Sequence, residues 1–298
     1  MSSRSAEKKT WIILDLLTWG TAYLSEKGFD ESRLTVELLL AHVLHIQRIQ
    51  LYTNFDKPLA ERELAEFKEL LKRRLTHEPV QYILGSTEFM GLPFFVDSRV
   101  LIPRPETEIL VEQVVTKCRQ RFSEKEKIFA EDLGTGSGCI AISLAVFLNT
   151  LHCRAVDVSR DALNVAKHNA EANNVETKIE FEEQNIFMLQ SQRRVEPLDC
   201  IISNPPYVSL KEFGAASPDV TQFEPRSALT DEEEGLRFYP ALAHYAEQNL
   251  NAGGFLAVEH QYDQSERVQK IFQEHGLTVT DVVKDYGGHY RCVIAEKQ

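Results

Sequence analysis

The sequence predicts an α/β protein in which a helical N-terminal region precedes a mostly parallel β-sheet covered by helices on both faces. Apolar residues recur at helical spacing through the first part of the chain. From residue 128 onwards, short apolar runs alternate with amphipathic segments, a pattern typical of strand–helix repeats. The last two predicted strands follow each other without a helix between them, so one of the two should run antiparallel.

The N-terminal region contains three predicted helices. Residues 11–27 form the first, and residues 31–44 form the second, with Asp30 as its expected N-cap. We expect Pro58 to open the third helix and Pro79 to end it. A small helical bundle follows from this pattern, and a role in docking a substrate suits it.

A short connecting region comes next. Residues 86–101 are rich in β-forming side chains around Gly91 and Pro93, which predicts a hairpin. The segment 102–108 reads I-P-R-P-E-T-E, and Pro105 suits the first position of a helix that runs to about residue 119. The predicted domains are 1–80 for the helical docking region, 81–104 for the hairpin linker and 105–298 for the sheet domain.

The sheet domain has strand and helix segments in alternation. The predicted strands span residues 128–133, 151–158, 179–181, 198–203, 255–259, 277–283 and 290–295. The predicted helices span residues 139–148, 161–173, 236–250 and 264–275. In a doubly wound sheet of this kind, ligands bind at the carboxyl ends of the strands.

The composition and net charge disfavour several classes of protein. The net charge is −12, which disfavours proteins that hold duplex DNA by neutralising its phosphates. No apolar run reaches the roughly eighteen residues of a membrane span, and the polar residues 1–10 lack a secretory core. Five cysteines without a C-x-x-C pair indicate reduced thiols and no metal site. We therefore expect a cytoplasmic protein.

A glycine-rich turn follows the first strand of the sheet domain. It reads Asp132-Leu133-Gly134-Thr135-Gly136-Ser137-Gly138, and its glycines allow a ligand to approach the backbone closely. Asp157 ends the next strand, where a carboxylate can accept both ribose hydroxyls of an adenosine. These residues indicate either a nicotinamide dinucleotide or S-adenosylmethionine, and the G-x-G-x-G spacing favours S-adenosylmethionine.

A proline-rich turn follows the strand 198–203 and reads Asn204-Pro205-Pro206-Tyr207. The prolines stiffen the turn and lack N–H groups, so its carbonyls are left to accept hydrogen bonds. A flat NH2 group could donate to the Asn204 side chain and to the carbonyl of Pro205, while Tyr207 covers its planar face. Two such acceptors would favour the pyramidal nitrogen of a methyl-transfer transition state. The turn therefore predicts methylation of a planar amide or amine nitrogen.

With these three sites in order, the chain resembles the class I methyltransferases. More closely, over nearly its whole length, it resembles the release factor glutamine N5-methyltransferase family, known as PrmC or HemK. That resemblance implies a helical N-terminal domain joined to a Rossmann-like seven-stranded domain. It also implies S-adenosyl-L-methionine as cofactor, S-adenosyl-L-homocysteine as product, and the glutamine of the Gly-Gly-Gln loop of bacterial class 1 release factors as substrate.

The resemblance implies roles for individual residues. The cofactor would contact Asp132, Gly134, Thr135, Gly136, Ser137, Gly138, Asp157, Ile186 and Asn204. The substrate amide would contact Asn204, Pro205, Pro206 and Tyr207, and Asn204, Pro205 and Tyr207 would carry catalysis. Some family members have an aromatic residue beside the adenine where this chain has Ile186. The segment 102–108 matches the release factor enzymes, and Phe223-Glu224-Pro225 also resembles the family without revealing its role.

Several alternative functions stay open on the residues alone. An adenine N6-methyltransferase of nucleic acids would use the same proline turn, although it needs basic residues to hold a flipped base. A related enzyme could methylate a glutamine of a ribosomal protein. A nicotinamide-dependent oxidoreductase should show G-x-G-x-x-G, and a non-catalytic binding module would not keep all three sites. We expect no direct contact with nucleic acid or membrane.

Overall fold

The computed structural model describes residues 10–189 and 192–298. The chain divides into two compact units, the first ending at Leu84 and the second running from Gly85 to Gln298. The first unit has a hydrophobic core of its own, and the second unit has two cores. None of the helices in the described ranges combines the length and the apolar character needed to cross a bilayer.

The first unit is helical, as the apolar spacing predicts. Its helices are α1 (Ile13–Glu26), α2 (Ser32–Leu44), α3 (Gln50–Thr53), α4 (Glu61–Leu75) and α5 (Val80–Leu84). One face of each long helix supplies the core, for example Leu17 from α1, Leu39 from α2 and Phe67 from α4. Gly20 allows α1 to approach α2, since a Cβ there would lie 3.0 Å from a methyl group of Val36.

Two expected helix starts are wrong. Asp30 does not cap α2, because the helix begins at Ser32 after Glu31, which has a left-handed φ of 48°. Pro58 does not open α4, because its segment is extended and forms a bridge with Ile12. The local signals of Asp30 and Pro58 are overridden by the backbone pairing and turns around them.

The true start of α4 depends on a carboxylate further along the chain. Glu63 accepts a hydrogen bond from the backbone N–H of Ala60 at 2.6 Å. That contact satisfies a free donor in front of the first helical turn, as in one half of a capping box. The helix therefore begins at Glu61, three residues after Pro58.

The second unit opens with the expected hairpin. Strand β1 (Ser86–Phe89) pairs antiparallel with β2 (Leu92–Phe95). The two turn residues, Met90 and Gly91, have φ of 54° and 71°, the left-handed values of a tight hairpin turn that matches strand twist. Helix α6 (Pro105–Arg121) then begins at a proline, as expected.

A seven-stranded sheet forms the body of the second unit within the described residues. Its strands are β3 (Ile128–Leu133), β4 (Leu151–Asp157), β5 (Ile179–Glu183), β6 (Leu198–Ser203), β7 (Leu250–Glu259), β8 (Thr278–Lys284) and β9 (Tyr290–Glu296). Their order is β5-β4-β3-β6-β7-β9-β8. Strand β9 runs antiparallel to both β7 and β8, whereas the pairs from β5 to β7 are parallel, which confirms that one of the last two strands is antiparallel.

Helices cover both faces of this sheet. Besides α6, the second unit contains the helices α7 (Cys139–Phe147), α8 (Arg160–Ala172), α9 (Ile186–Leu189), α10 (Leu210–Phe213), α11 (Pro218–Phe223), α12 (Phe238–Asn249) and α13 (Ser265–Glu274). Side chains of α6, α7 and α8 share one core, and those of α9, α12 and α13 share the other. The strand order reverses between β4, β3 and β6, which creates a crevice at their carboxyl ends.

Strand β7 is longer than expected. The predicted strand begins at residue 255, whereas β7 begins at Leu250 and includes the turn-forming residues Gly253 and Gly254. Leu250 pairs with Leu198 and Phe255 pairs with Cys200, so residues 251–254 bulge out of the ladder. A glycine has no side chain to pack in such a bulge, which is why its turn signal is misleading here.

Candidate active site

A cavity of about 540 Å³ opens at the carboxyl ends of β3, β4 and β6. Its wall includes residues at the carboxyl ends of these strands, namely Gly134 directly after β3, Asp157 at the end of β4 and Asn204 directly after β6. The three sites found in the sequence therefore face one space. Its volume lies within the range of small-molecule sites, which is about 300–1,000 Å³.

The glycine loop between β3 and α7 supplies one wall. Gly134, Gly136 and Gly138 have φ of 81°, 55° and 82°, which side chains rarely adopt. A Cβ added to Gly134 or Gly136 would meet no atom within 4 Å, so the backbone there borders open space. Thr135 and Ser137 also line the cavity. The loop thus offers bare backbone to a ligand.

Gly138, in the same loop, allows close helix packing. It does not line the cavity, and a Cβ there would lie 2.8 Å from the Cδ1 atom of Ile142 and 3.1 Å from the Cβ atom of Ala166. The missing side chain therefore lets α7 approach α8. This glycine serves packing, whereas the first two face the ligand space.

Asp132 lies behind the loop instead of in the cavity wall. Its Oδ2 atom accepts hydrogen bonds from the Thr135 hydroxyl at 2.6 Å and from the backbone N–H of Ala141 at 3.2 Å. Complete burial raises the pKa of this carboxyl group to about 7. Asp132 thus shapes the loop through Thr135, and its side chain does not border the cavity.

Asp157 links the end of β4 to the glycine loop. Its Oδ2 atom accepts from the backbone N–H of Gly136 at 2.8 Å, and its Oδ1 atom accepts from that of Ser159 at 2.9 Å. Burial raises its pKa, and these backbone donors oppose the rise. A carboxylate oxygen can accept more than one hydrogen bond. Both Asp157 oxygens can therefore also accept from the two hydroxyl groups of a diol bound in the cavity.

The proline turn after β6 divides its residues between the cavity and the core. Asn204 and Pro206 line the cavity, whereas Pro205 is buried. Tyr207 is half-buried and outside the cavity wall, and its hydroxyl donates to the Glu259 Oε1 atom at 2.9 Å. Burial and the neighbouring carboxylate raise the pKa of Tyr207 well above its usual value, so its hydroxyl keeps its proton.

Aromatic side chains that the sequence reasoning missed stand beside Ile186. Ile186 lines the cavity as expected, and so do Phe187 and Phe238, whose ring centroids are 4.9 Å apart. Phe187 directly follows Ile186 in the chain, which is a signal that could have been used. Phe238 comes from the start of α12 and could be found only from the fold.

The segment Phe223-Glu224-Pro225 gains a structural role. The buried carboxylate of Glu224 accepts from Arg104 Nη2 at 2.5 Å and from the backbone N–H of Ile102 at 3.2 Å. Arg104 and Pro225 both line the cavity. Glu224 therefore ties the segment 102–108 to the part of the cavity wall that Pro225 forms.

The hairpin is tied to the glycine loop through one buried amide. The Asn169 side chain of α8 accepts from the backbone N–H of Phe95 at 2.7 Å and donates to its carbonyl at 3.0 Å. Its NH2 group also donates to the carbonyl of Ser137 at 2.9 Å. Both NH2 protons of Asn169 are thus used in holding backbone carbonyls.

Neither a metal cluster nor a disulfide is found within residues 10–189 and 192–298. No group of three His, Cys, Asp or Glu side chains there could hold a metal ion. The cysteines Cys118, Cys139, Cys153, Cys200 and Cys292 are free and buried.

Two family models and one solved structure identify the class of protein to which this chain belongs. The family model described as the methyltransferase small domain matches residues 105–222, and the PrmC N-terminal domain model matches residues 15–85. The catalytic domain of hMettl16, solved with a MAT2A 3′UTR hairpin, superposes with a TM-score of 0.52 at 18% identity. The superposition covers 81% of this chain and 84% of the hMettl16 chain. The fold is that of a class I methyltransferase.

Curated relatives then give the family. The release factor glutamine methyltransferase of Chlorobaculum tepidum is 40% identical over 282 residues, which cover 94% of this chain and 95% of that protein. The protein of the same name from Geobacter sulfurreducens is 39% identical, covering 95% and 96%. That from Rhodopirellula baltica is 36% identical, covering 96% and 97%. The chain belongs to the release factor glutamine methyltransferase family.

Proposed function

We propose that this protein methylates the side-chain amide nitrogen of the glutamine in the Gly-Gly-Gln loop of peptide-chain release factors, with S-adenosyl-L-methionine as the methyl donor. The observation that carries the proposal is the shared cavity of Gly136, Asp157 and Asn204. The family membership supports the choice of substrate. The reaction belongs to the cytoplasm, where release factors act.

The residues of the cavity fit the cofactor. Gly134 and Gly136 leave space where side chains would stand, and the Asp157 oxygens can receive a ribose diol. Ile186, Phe187 and Phe238 supply apolar surface for a flat base. Asp132 acts on the same site indirectly, because it holds Thr135. When bound, the cofactor supplies an electrophilic methyl group.

Asn204 and Pro205 orient the amide that receives this group. An amide nitrogen is a poor nucleophile because its lone pair is delocalised into the carbonyl. The Asn204 side-chain oxygen and the Pro205 carbonyl accept hydrogen bonds from the two N–H groups of the substrate amide. This arrangement favours a pyramidal nitrogen. Pro206 lines the cavity beside Asn204, and Tyr207 braces the turn from the core side. Correct placement of the reacting atoms lowers the barrier further.

The domain assignment completes the proposal. Residues 1–80 dock the release factor, residues 81–104 link the domains, and residues 105–298 carry the reaction. The match of residues 15–85 to the PrmC N-terminal domain supports a separate first domain. Exposed aromatic rings on α1 support docking, since Trp19 is 43% exposed and stacks on Tyr23 at 5.2 Å between ring centroids.

A transfer assay tests the function directly. The protein is incubated with donor labelled in its methyl group and with purified release factor, either wild type or with the loop glutamine replaced by alanine. Label should enter only the wild-type factor. An adenine-containing DNA or RNA and a ribosomal protein with an accessible glutamine serve as competing substrates. Label in either of these, with none in the release factor, would overturn the proposal.

A further inference from the structure

Thr107 contacts the first residue of the proline turn. It sits in the first turn of α6 and is 2% exposed. Its Oγ1 atom accepts a hydrogen bond from the Asn204 Nδ2 atom at 3.0 Å. The segment I-P-R-P-E-T-E therefore reaches the proposed catalytic amide through its threonine.

Glu259 contacts the last residue of the turn. It ends β7 and is 1% exposed, and its Oε1 atom accepts from the Tyr207 hydroxyl at 2.9 Å. The two ends of the turn are therefore held by different residues, Asn204 by Thr107 and Tyr207 by Glu259.

The hydrogen bond between Asn204 and Thr107 determines which side-chain atom of Asn204 faces α6. A threonine hydroxyl has lone pairs that can accept from an amide NH2 group. Because the Asn204 Nδ2 atom donates to Thr107, the NH2 group of Asn204 faces Thr107 and the Asn204 oxygen is turned away from it. Asn204 also lines the cavity.

We propose that Thr107 is a positioning residue that holds the NH2 group of Asn204 so that the Asn204 oxygen is free to accept the substrate NH2 group. This inference rests on the proposed amide site. With the opposite flip, Asn204 would present an NH2 donor to another NH2 donor, and the substrate would lose an acceptor. The contact is made in a buried setting, where an unmatched polar pair is costly.

Two substitutions separate the hydroxyl from the shape of the side chain. Thr107→Val keeps the volume and removes the hydroxyl, whereas Thr107→Ser keeps the hydroxyl. We expect Thr107→Val to lower kcat about tenfold or more, with little change in the cofactor Kd, and Thr107→Ser to restore most of kcat. Thr278→Val, on the edge strand β8, removes an exposed hydroxyl that accepts from the Gln298 side-chain NH2 group at 2.9 Å outside the cavity wall, and is the matched control.

A spectroscopic measurement keeps the inference separate from the substrate. The side-chain NH2 signals of Asn204, assigned with Asn204→Ala, should be protected from exchange in the wild type and lose protection in Thr107→Val. If the wild type labels no release factor, the proposed function fails while this measurement still tests the flip. Wild-type kcat and unchanged Asn204 protection in Thr107→Val would overturn the inference. If Thr107→Val does not fold, Thr107→Ala, which also removes the acceptor for the Asn204 NH2 group, is measured in the same way and should lower kcat and protection.

Discussion

The carboxylate of Asp157 accepts a hydrogen bond from the backbone N–H of Gly136 at 2.8 Å, which joins the end of β4 to the glycine loop. The same carboxylate borders the cavity. It therefore both shapes the loop and offers acceptors to a ligand.

Replacement of Asp157 should act on cofactor binding. Asp157→Ala removes the acceptors for Gly136 and for a ribose diol, and hydrogen bonds to a charged group contribute roughly 1.5–3 kcal/mol. We expect the cofactor Kd to rise at least about tenfold in calorimetry. Asp157→Asn keeps an acceptor for Gly136 and should give a smaller rise. An unchanged Kd in Asp157→Ala would remove this residue from the proposed site.

Replacement of Asn204 should act on turnover. Asn204→Ala removes the acceptor for the substrate amide, and loss of one such transition-state contact lowers kcat by about 10²–10³-fold. The cofactor Kd should change far less. Gln248→Ala on α12 removes an amide that contacts His244 and lies outside the cavity, so it serves as the control. Equal turnover in Asn204→Ala and wild type would contradict the assigned role.

Gly138 should be more sensitive to substitution than a glycine with free space. Gly138→Ala adds a Cβ 2.8 Å from Ile142 at a φ of 82°, so it suffers both crowding and backbone strain. Gly253→Ala has a similar φ of 77° and no atom within 4 Å, so it suffers the strain alone. Urea unfolding should show a loss larger by about 1–3 kcal/mol for Gly138→Ala. Equal losses would mean that α7 and α8 can move apart without cost.

Stability should depend on pH through Asp132. Its pKa rises from 3.8 to about 7 in the folded protein, so the folded state binds this proton more tightly than the unfolded state. The free energy of unfolding should therefore fall as the pH rises from about 4 to about 7, by up to about 1.4 kcal/mol per unit of pKa difference. Urea unfolding of Asp132→Asn at pH 5.5 and 7.5 should show a weaker dependence than wild type. An identical slope would show that Asp132 titrates alike in both states.

Docking by the first unit predicts a specific kinetic defect. Trp19→Ala removes a half-exposed ring from α1 without touching the cavity wall. The KM for release factor should rise severalfold while the cofactor Kd stays the same, because binding and not chemistry is affected. Leu14→Ala, at another exposed position on α1, tests how far this surface extends. Unchanged KM in both variants would argue against docking through α1.

Residues that follow a strand and carry their own chemistry could be found from the sequence. Gly136, Asp157 and Asn204 each end or follow a predicted strand, and parallel strands bring such residues to one edge. Helix starts were harder, because Asp30 and Pro58 give local signals that tertiary contacts override. Local propensity is a weak guide where the chain pairs with a distant segment.

The supporting residues of the site could not be found in this way. Glu259 lies 52 positions from its hydrogen-bond partner Tyr207, and Thr107 lies 97 positions from Asn204. Neither pair leaves a periodic or spaced pattern in the chain. Phe238 likewise reaches the cavity only because α12 packs against the sheet. Such contacts arise from the fold as a whole.

The Asn169 amide has a consequence for how the protein could be followed in solution. The Asn169 side chain is hydrogen-bonded to the Phe95 backbone and to the Ser137 carbonyl, so one side chain connects the hairpin to the glycine loop. Any tightening of the loop by a ligand is then transmitted to the amide proton of Phe95. Slower deuterium uptake at the Phe95 amide would therefore report that a ligand occupies the cavity.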